Sequence, residues 1–246
     1  MWLDNNHYVL TDKGMDISIP LRIGDKNVNA WYVDPVRIEA VVSGDFIGDV
    51  MQGGSVNFKN VYLNPHGNGT HTECIGHISK EPFTLNQCMK EFHFLAGLIT
   101  IQPVRVGDDL VITEAAVREK LLGLNDETAL IIRTLPNSAE KLTHHYSGTN
   151  PPYVDKEAIQ YINGLGIVHL LIDLPSIDKE RDNGAVVAHH VFWNYPANPW
   201  LHKTITELVY VDNQIKDGTY FLSFQITSLE NDASPSKIMI YDIHRA

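Results

Sequence analysis

Apolar and polar positions recur with two different periods along this chain, and the changes of period divide it into elements. Residues 16–21, Asp-Ile-Ser-Ile-Pro-Leu, alternate polar and apolar, which predicts a strand that Pro20 confines to an edge or an end. Residues 36–42 are rich in β-branched side chains with Arg37 and Glu39 interposed, the pattern of a half-exposed strand. Residues 44–54 are glycine-rich and acidic and read as a loop, so strand, loop and strand make a hairpin that leads into residues 64–77. Short apolar runs at 98–104, 128–134 and 167–172 have the length of buried strands. Between them the period lengthens. Thr113 is placed to cap a helix with Val117 and Leu121 four apart and Gly123 at its end; Asp155 is placed to cap a second, with Ala158, Ile159 and Ile162 on one side and Gly164 closing it. Strands at 205–211, 220–227 and 238–243 follow with no helix between them. The expectation is a single domain over residues 1–246 of mixed α/β class, with a mixed central sheet and a β-rich C-terminal quarter.

One stretch fits none of these structural needs. Residues 64–77 read Asn-Pro-His-Gly-Asn-Gly-Thr-His-Thr-Glu-Cys-Ile-Gly-His and carry three of the twelve histidines. If residues 71–77 run extended, His71, Glu73, Ile75 and His77 share one wall, while Thr72, Cys74 and Gly76 face the other way. Gly67 and Gly69 give the chain freedom to turn and bring His66 to the same place. Imidazole and carboxylate are donors that zinc, manganese and iron accept; a satisfied polar cluster is the alternative. Glu207 lies inside an apolar run, where a carboxylate wants a cation unless the strand is an edge and it faces water. His189 and His190 are rival donors, because neighbours on a strand cannot both face one ion. His144 and His145 read as loop surface, and Cys74 as packing. The aromatic segment 192–203 is either a lid or a subunit contact.

Composition narrows the classes of function. The chain is 43% hydrophobic and 20% charged, ordinary for a globular protein. Nineteen Lys and Arg against thirty Asp and Glu give a formal charge of -11, which argues against nucleic-acid binding. Two cysteines, Cys74 and Cys88, are too few for a disulfide framework or a thiolate zinc site and fit a reducing compartment. The first residues lack the basic and apolar regions of a secretory signal, and no apolar run is long enough to predict a membrane span, so the expected location is cytoplasmic.

Residues 66–77 resemble the signature His-x-Gly-Thr-His-x-Asp-x-Pro-x-His of the cyclase superfamily of metal-dependent hydrolases, which includes bacterial kynurenine formamidases and isatin hydrolases. Asp16-Ile-Ser18 is similar to the family's opening strand, and Trp31-Tyr-Val-Asp-Pro35 to a segment whose Trp lines the substrate pocket. Residues 153–178, ending Leu-Ile-Asp-Leu-Pro-Ser-Ile-Asp, resemble a helix and strand closing on Gly-x-Asp-Thr-Pro-Ser-x-Asp. Ala188-His189 and Thr206-Glu207-Leu208 resemble the segments with the last ligands. The resemblance implies a swivelling β/α/β fold in which His66, His71 and Glu73 hold one ion, and Glu73 bridges to a second held by His189 and Glu207. His77 is then the general acid or base and Trp31 a substrate contact. One or two divalent ions, zinc or manganese, are implied, as are a small-molecule substrate and a homodimer or homotetramer.

The chain departs from that pattern at three points. His66 and His71 are five apart where the family has four, because Gly67-Asn68 replaces one residue; the extra residue is either bulged out or moves His66 off the metal. Glu73 stands for Asp, one methylene longer, and Ile75 stands for Pro. The expected activity is hydrolysis of a C-N amide bond in a small aryl or cyclic substrate. A ligand-binding relative without turnover, and a metal-dependent lyase or isomerase, are the alternatives.

Overall fold

Eight strands of the computed structural model, which describes residues 1–121 and 127–246, form one mixed sheet. In chain order they are β1 (Met15–Asp16), β2 (His71–Glu73), β3 (His93–Ile101), β4 (Ala129–Thr134), β5 (His169–Ile172), β6 (Thr204–Glu207), β7 (Gly218–Ile226) and β8 (Ala233–Tyr241). Their spatial order is β7-β3-β4-β5-β6-β2-β8-β1. The sheet also closes on itself, since β8 pairs with β2 through residues 233–235 and with β7 through residues 236–241. Strands β3 to β6 run parallel to one another, and the remaining pairs are antiparallel. The mixed α/β class and the β-rich last quarter agree with the sequence reading.

Helices fill the parallel crossovers, as such connections require. After the short turns α1 (Pro65–Asn68) and α2 (Leu85–Cys88) come α3 (Glu114–Lys120) between β3 and β4, α4 (Lys156–Gly164) between β4 and β5, and α5 (Val187–Trp193) between β5 and β6. Thr113 and Asp155 cap α3 and α4 as expected, their side chains accepting from Ala116 N and Ala158 N. The expected stop at Gly123 lies outside the described residues. Helix α4 runs through Gly164, and the chain reverses instead at Gly166, φ +79°. Leu130, Ile131 and Ile132 of β4 and Leu170, Leu171 and Ile172 of β5 are all buried, the run of apolar residues a strand covered on both faces needs.

Several boundaries moved. The run expected at 98–104 begins at His93 and stops before Gln102-Pro103, since Pro103 has no N–H for the ladder. The strand expected at 205–211 ends at Glu207 because Leu208 takes φ +54°. The hairpin of Arg37–Ala40 with Lys59–Tyr62 is present and does lead into the histidine stretch. Helix α5 was not foreseen; His189 and His190 sit on a helix, not a strand.

Candidate metal centre

Three local structures carry the histidine stretch. Asn64 caps α1 by accepting from Gly67 N, Pro65 occupies the first turn, and Asn68 locks it, its Oδ1 accepting from Asn64 N at 2.6 Å and its Nδ2 donating to Asp34 O at 3.0 Å. The additional residue is therefore wound into a helical turn, from which His66 faces Glu73. Gly67 is required there: a Cβ would lie 2.5 Å from Val33 and 2.8 Å from Ala30 O. The chain then extends only over His71–Glu73 and coils into a 3-10 turn at Ile75–His77, correcting the expectation of one strand through residue 77. That turn brings His77 back toward Glu73, while Ile75 is buried in the core.

Register supplies the remaining groups. In the antiparallel β2–β6 pair, His71 is opposite Glu207 and Thr72 opposite Thr206. His71 and Glu207 consequently share one face, where His71 Nε2 is 3.5 Å from Glu207 Oε2; Thr72 and Thr206 join their hydroxyls on the other. Helix α5 adds His189, whose Nε2 lies 3.0 Å from Glu73 Oε1 and 3.7 Å from Glu207 Oε1. Successive helical residues diverge by about 100°, and His190 turns away to pair its Nδ1 with Tyr195 O at 3.1 Å. The helix thus turns one of these two histidines toward the carboxylates and the other away from them.

The structure thus gathers His66, His71, Glu73, His77, His189 and Glu207. Trp31 stands apart from these donors. It has φ +61°, is half-buried, and packs against the satellite cluster of Ile19, Val28, Ala30, Tyr146 and Leu208. Phe192 and Trp193 are core residues of α5, not part of a lid, and Trp193 Nε1 donates to Lys203 O. Cys74 is buried packing, as expected, and His145 binds Asp25 O at the surface.

The rings of His66, His71 and His189 each have an inner nitrogen aimed at the carboxylates and an outer one held from behind. His66 turns Nδ1 toward Glu73 Oε2 at 3.1 Å, and its Nε2 meets Asp232 Oδ2 at 2.9 Å. His71 Nδ1 is held by Gly69 O at 2.9 Å, and His189 Nδ1 by Asp178 Oδ2 at 2.6 Å. Asp178 is further fixed by accepting from the N–H groups of Ala188 and His189. Outer-nitrogen partners of this kind set the tautomer and orientation of metal-binding histidines. Asp178 and Asp232 went unassigned in the sequence reading. Asp178 closes a quoted motif and could have been found there, whereas Asp232 had no local signal.

The donors fit a cation. His71 Nε2 and Glu73 Oε2 are buried without a hydrogen-bond partner, a costly arrangement unless an ion takes them. Two sets of donor atoms, each within 4.8 Å of one another, share Glu73: His66, Glu73 and His77, and His71, Glu73 and Glu207. These groupings differ from those the resemblance implies. Without a cation, positive charge is favoured on two of the rings, His66 and His189. Burial opposes it at His66, but Asp232 and Glu73 outweigh burial and push the ring up to about 10. His189 is likewise raised, Asp178 and Glu73 overcoming its burial. Glu73, despite complete burial, is held well below the usual range by His77, His189 and His66.

Comparison with known proteins is consistent with this geometry. Residues 15–179 match the model of the Cyclase family. The chain is 25% identical over 230 residues to a kynurenine formamidase of Bacillus cytotoxicus, covering 92% of this chain and 96% of that one. Among solved structures it resembles an isatin hydrolase bound to the product analogue thioisatinate, with TM-score 0.66, 14% identity, and 94% and 92% of the two chains covered. A predicted metal-dependent hydrolase from Bacillus stearothermophilus gives TM-score 0.62 and 16% identity, with 94% and 98% covered. These structural likenesses establish the shared fold.

Proposed function

Since the chain belongs to the Cyclase family, we propose that it is a metal-dependent amidohydrolase that opens a C-N amide bond of a small aryl or cyclic substrate. The observation that carries this reading is the convergence of inner ring nitrogens and carboxylate oxygens, in which buried His71 Nε2 and Glu73 Oε2 make no hydrogen bond and face only the other donors of the cluster. The similar kynurenine formamidase supports the amide class. Nitrogen and oxygen donors without thiolate suit zinc or manganese, and the sharing of Glu73 by two donor sets supports one or two ions.

In this reading His66, His71, Glu73, His189 and Glu207 hold the metal, whose chemistry is Lewis acidity and an activated water. His77 is the proton carrier. Its Nδ1 faces Asp232 at 3.5 Å and Glu73 at 3.9 Å, and among the described residues its Nε2 has no partner. That leaves Nε2 to take a proton as water attacks and return it to the leaving nitrogen. The ring is partly exposed, in contrast to the buried His71 and His189, as a group that must meet substrate requires. Trp31 is the substrate contact in this reading; it follows Ala30, whose N–H donates to Gly67 O in the turn that bears His66.

Metal analysis of the purified protein and of His71→Ala tests the reading. The expected result is bound zinc or manganese in the first and its loss in the second; wild-type protein that hydrolyses N-formyl arylamines, isatins or cyclic amides equally well after chelation would sink it. The grouping of His77 with His66 and Glu73 favours a second reading, in which His77 is a ligand and the pocket binds without turnover.

The protein is also read as a homodimer or homotetramer. The hairpin and loop of residues 42–62 expose Val42, Val50, Met51, Val56, Phe58 and Val61, a concentration of apolar surface that association would cover. Light scattering on the eluted protein should give at least twice the 27.7 kDa of the chain; a monomer at micromolar concentration contradicts it.

A further inference from the structure

Asp232 stands beside the donor set, and backbone contacts build it into place on both sides. Cys74 N donates to Asp232 O at 2.9 Å, and Leu85 N donates to Asn231 O at 2.8 Å. Asn231 Nδ2 closes its own turn on Ala233 O at 3.0 Å. The 3-10 turn bearing His77 packs directly under it: a Cβ on Gly76 would lie 3.1 Å from Asp232 Cβ and 2.0 Å from Phe83 O, so only glycine allows the approach. The next residue, Ala233, is in register with Glu73. The carboxylate is thus delivered by the same strand pair that presents Glu73.

From that position Oδ2 reaches two histidines with different tasks. It is 2.9 Å from His66 Nε2 and 3.5 Å from His77 Nδ1, and the two rings stack with centroids 4.3 Å apart and planes 29° apart. An acceptor at His66 Nε2 keeps the proton there and leaves the Nδ1 lone pair toward Glu73, the tautomer a metal ligand needs. An acceptor at His77 Nδ1 does the converse, leaving Nε2 as the basic nitrogen. Asp178 behind His189 and Gly69 O behind His71 each hold one ring; Asp232 holds two.

We propose that Asp232 is a positioning residue that fixes the tautomers of His66 and His77 together, and so links metal retention to proton transfer at one carboxylate. The proposal rests on the metal-dependent reading above. Its test measures zinc affinity by competition with a chromogenic chelator for metal-free wild type, Asp232→Asn, Asp232→Ala, Asp232→Glu and His71→Ala. The neutral variants should bind zinc about 10–100-fold more weakly, Asp232→Glu should recover part of the loss, and all the chelated proteins should remain folded, with one cooperative melting transition each. Carrying the amide and the alanine together keeps the question answerable if one of them fails to fold. Wild-type affinity in the neutral variants overturns the positioning role. A loss as complete as in His71→Ala overturns it too, and makes Asp232 a ligand. Unchanged affinity in His71→Ala is a separate failure, of the metal reading itself.

Discussion

His189 and His169 are buried to nearly the same extent, 2% and 4% exposed, yet in metal-free protein their surroundings shift their protonation in opposite directions. His189 lies between Asp178 at 2.6 Å and Glu73 at 3.0 Å, and these carboxylates raise it well above its usual range against the cost of burial. His169 begins β5 with its Nδ1 on Thr204 Oγ1 at 2.7 Å and its ring 4.0 Å from Phe94 and 5.4 Å from Phe224. Burial, with His202 and Lys203 adding to it, pushes that ring down to about 3. The two environments occupy opposite ends of β5 and β6: His169 pairs with the first residue of β6, while Glu207 is its last. The carboxyl ends of parallel strands are where open α/β sheets place ligands. Burial alone does not make a reactive histidine; the carboxylates gathered at that end do.

The largest expected difference between the two ends is catalytic. His77→Ala should lower kcat by about 10²–10⁴-fold, the usual contribution of a general acid or base, with bound metal retained. His169→Gln should leave kcat unchanged, because its ring bonds Thr204 and packs on Phe94 and Phe224 at the end of the sheet away from the donors. Steady-state kinetics and metal content on both variants separate the readings. If His77→Ala sheds its metal, the ring is a ligand and the binding-only alternative gains. If His169→Gln loses activity as severely, the division between the two ends is wrong.

Much of this division could be read along the chain, and the part that could not has a common cause. Caps at Thr113 and Asp155 were legible because a side chain and the N–H it accepts from lie three residues apart. The cluster of His71, Glu73 and Glu207 was legible from residue type and from a carboxylate inside an apolar run. Helix α5 was not, because Ala-His-His-Val-Phe-Trp has the β-branched and aromatic content of a strand, and its start at Val186 in the left-handed region, φ +36°, carries no cap signal. The fate of the residue added at Gly67-Asn68 was also hidden, since it depends on Asn68 reaching back to Asp34 and Gly67 meeting Ala30 and Val33. Asp232 is 166 residues from the His66 it binds. Only the pairing of β8 with β2 brings the two together, and pairing across such a separation leaves no periodic trace in sequence.

A smaller effect follows from the proton bookkeeping at His169. The unfolded ring takes up its proton near pH 6.5, while the folded ring resists protonation down to about pH 3. Between those values the unfolded state binds more protons, so stability is complete above about pH 6.5 and falls as pH drops toward 3. The full excursion is on the order of a few kcal/mol. The site histidines have the opposite sign in metal-free protein: His66, raised to about 10, contributes stability fully present below about pH 6.5 and lost as pH rises through 10. Urea midpoints of chelated wild type and His169→Gln, measured from pH 7 to pH 4, isolate the first effect. Glutamine retains a polar partner for Thr204 but cannot take up a proton in the unfolded chain, so the variant should lose less stability on acidification than wild type. Parallel curves would mean that the ring is protonated in the fold, and that the aromatic end of the sheet tolerates a charge as the carboxylate end does.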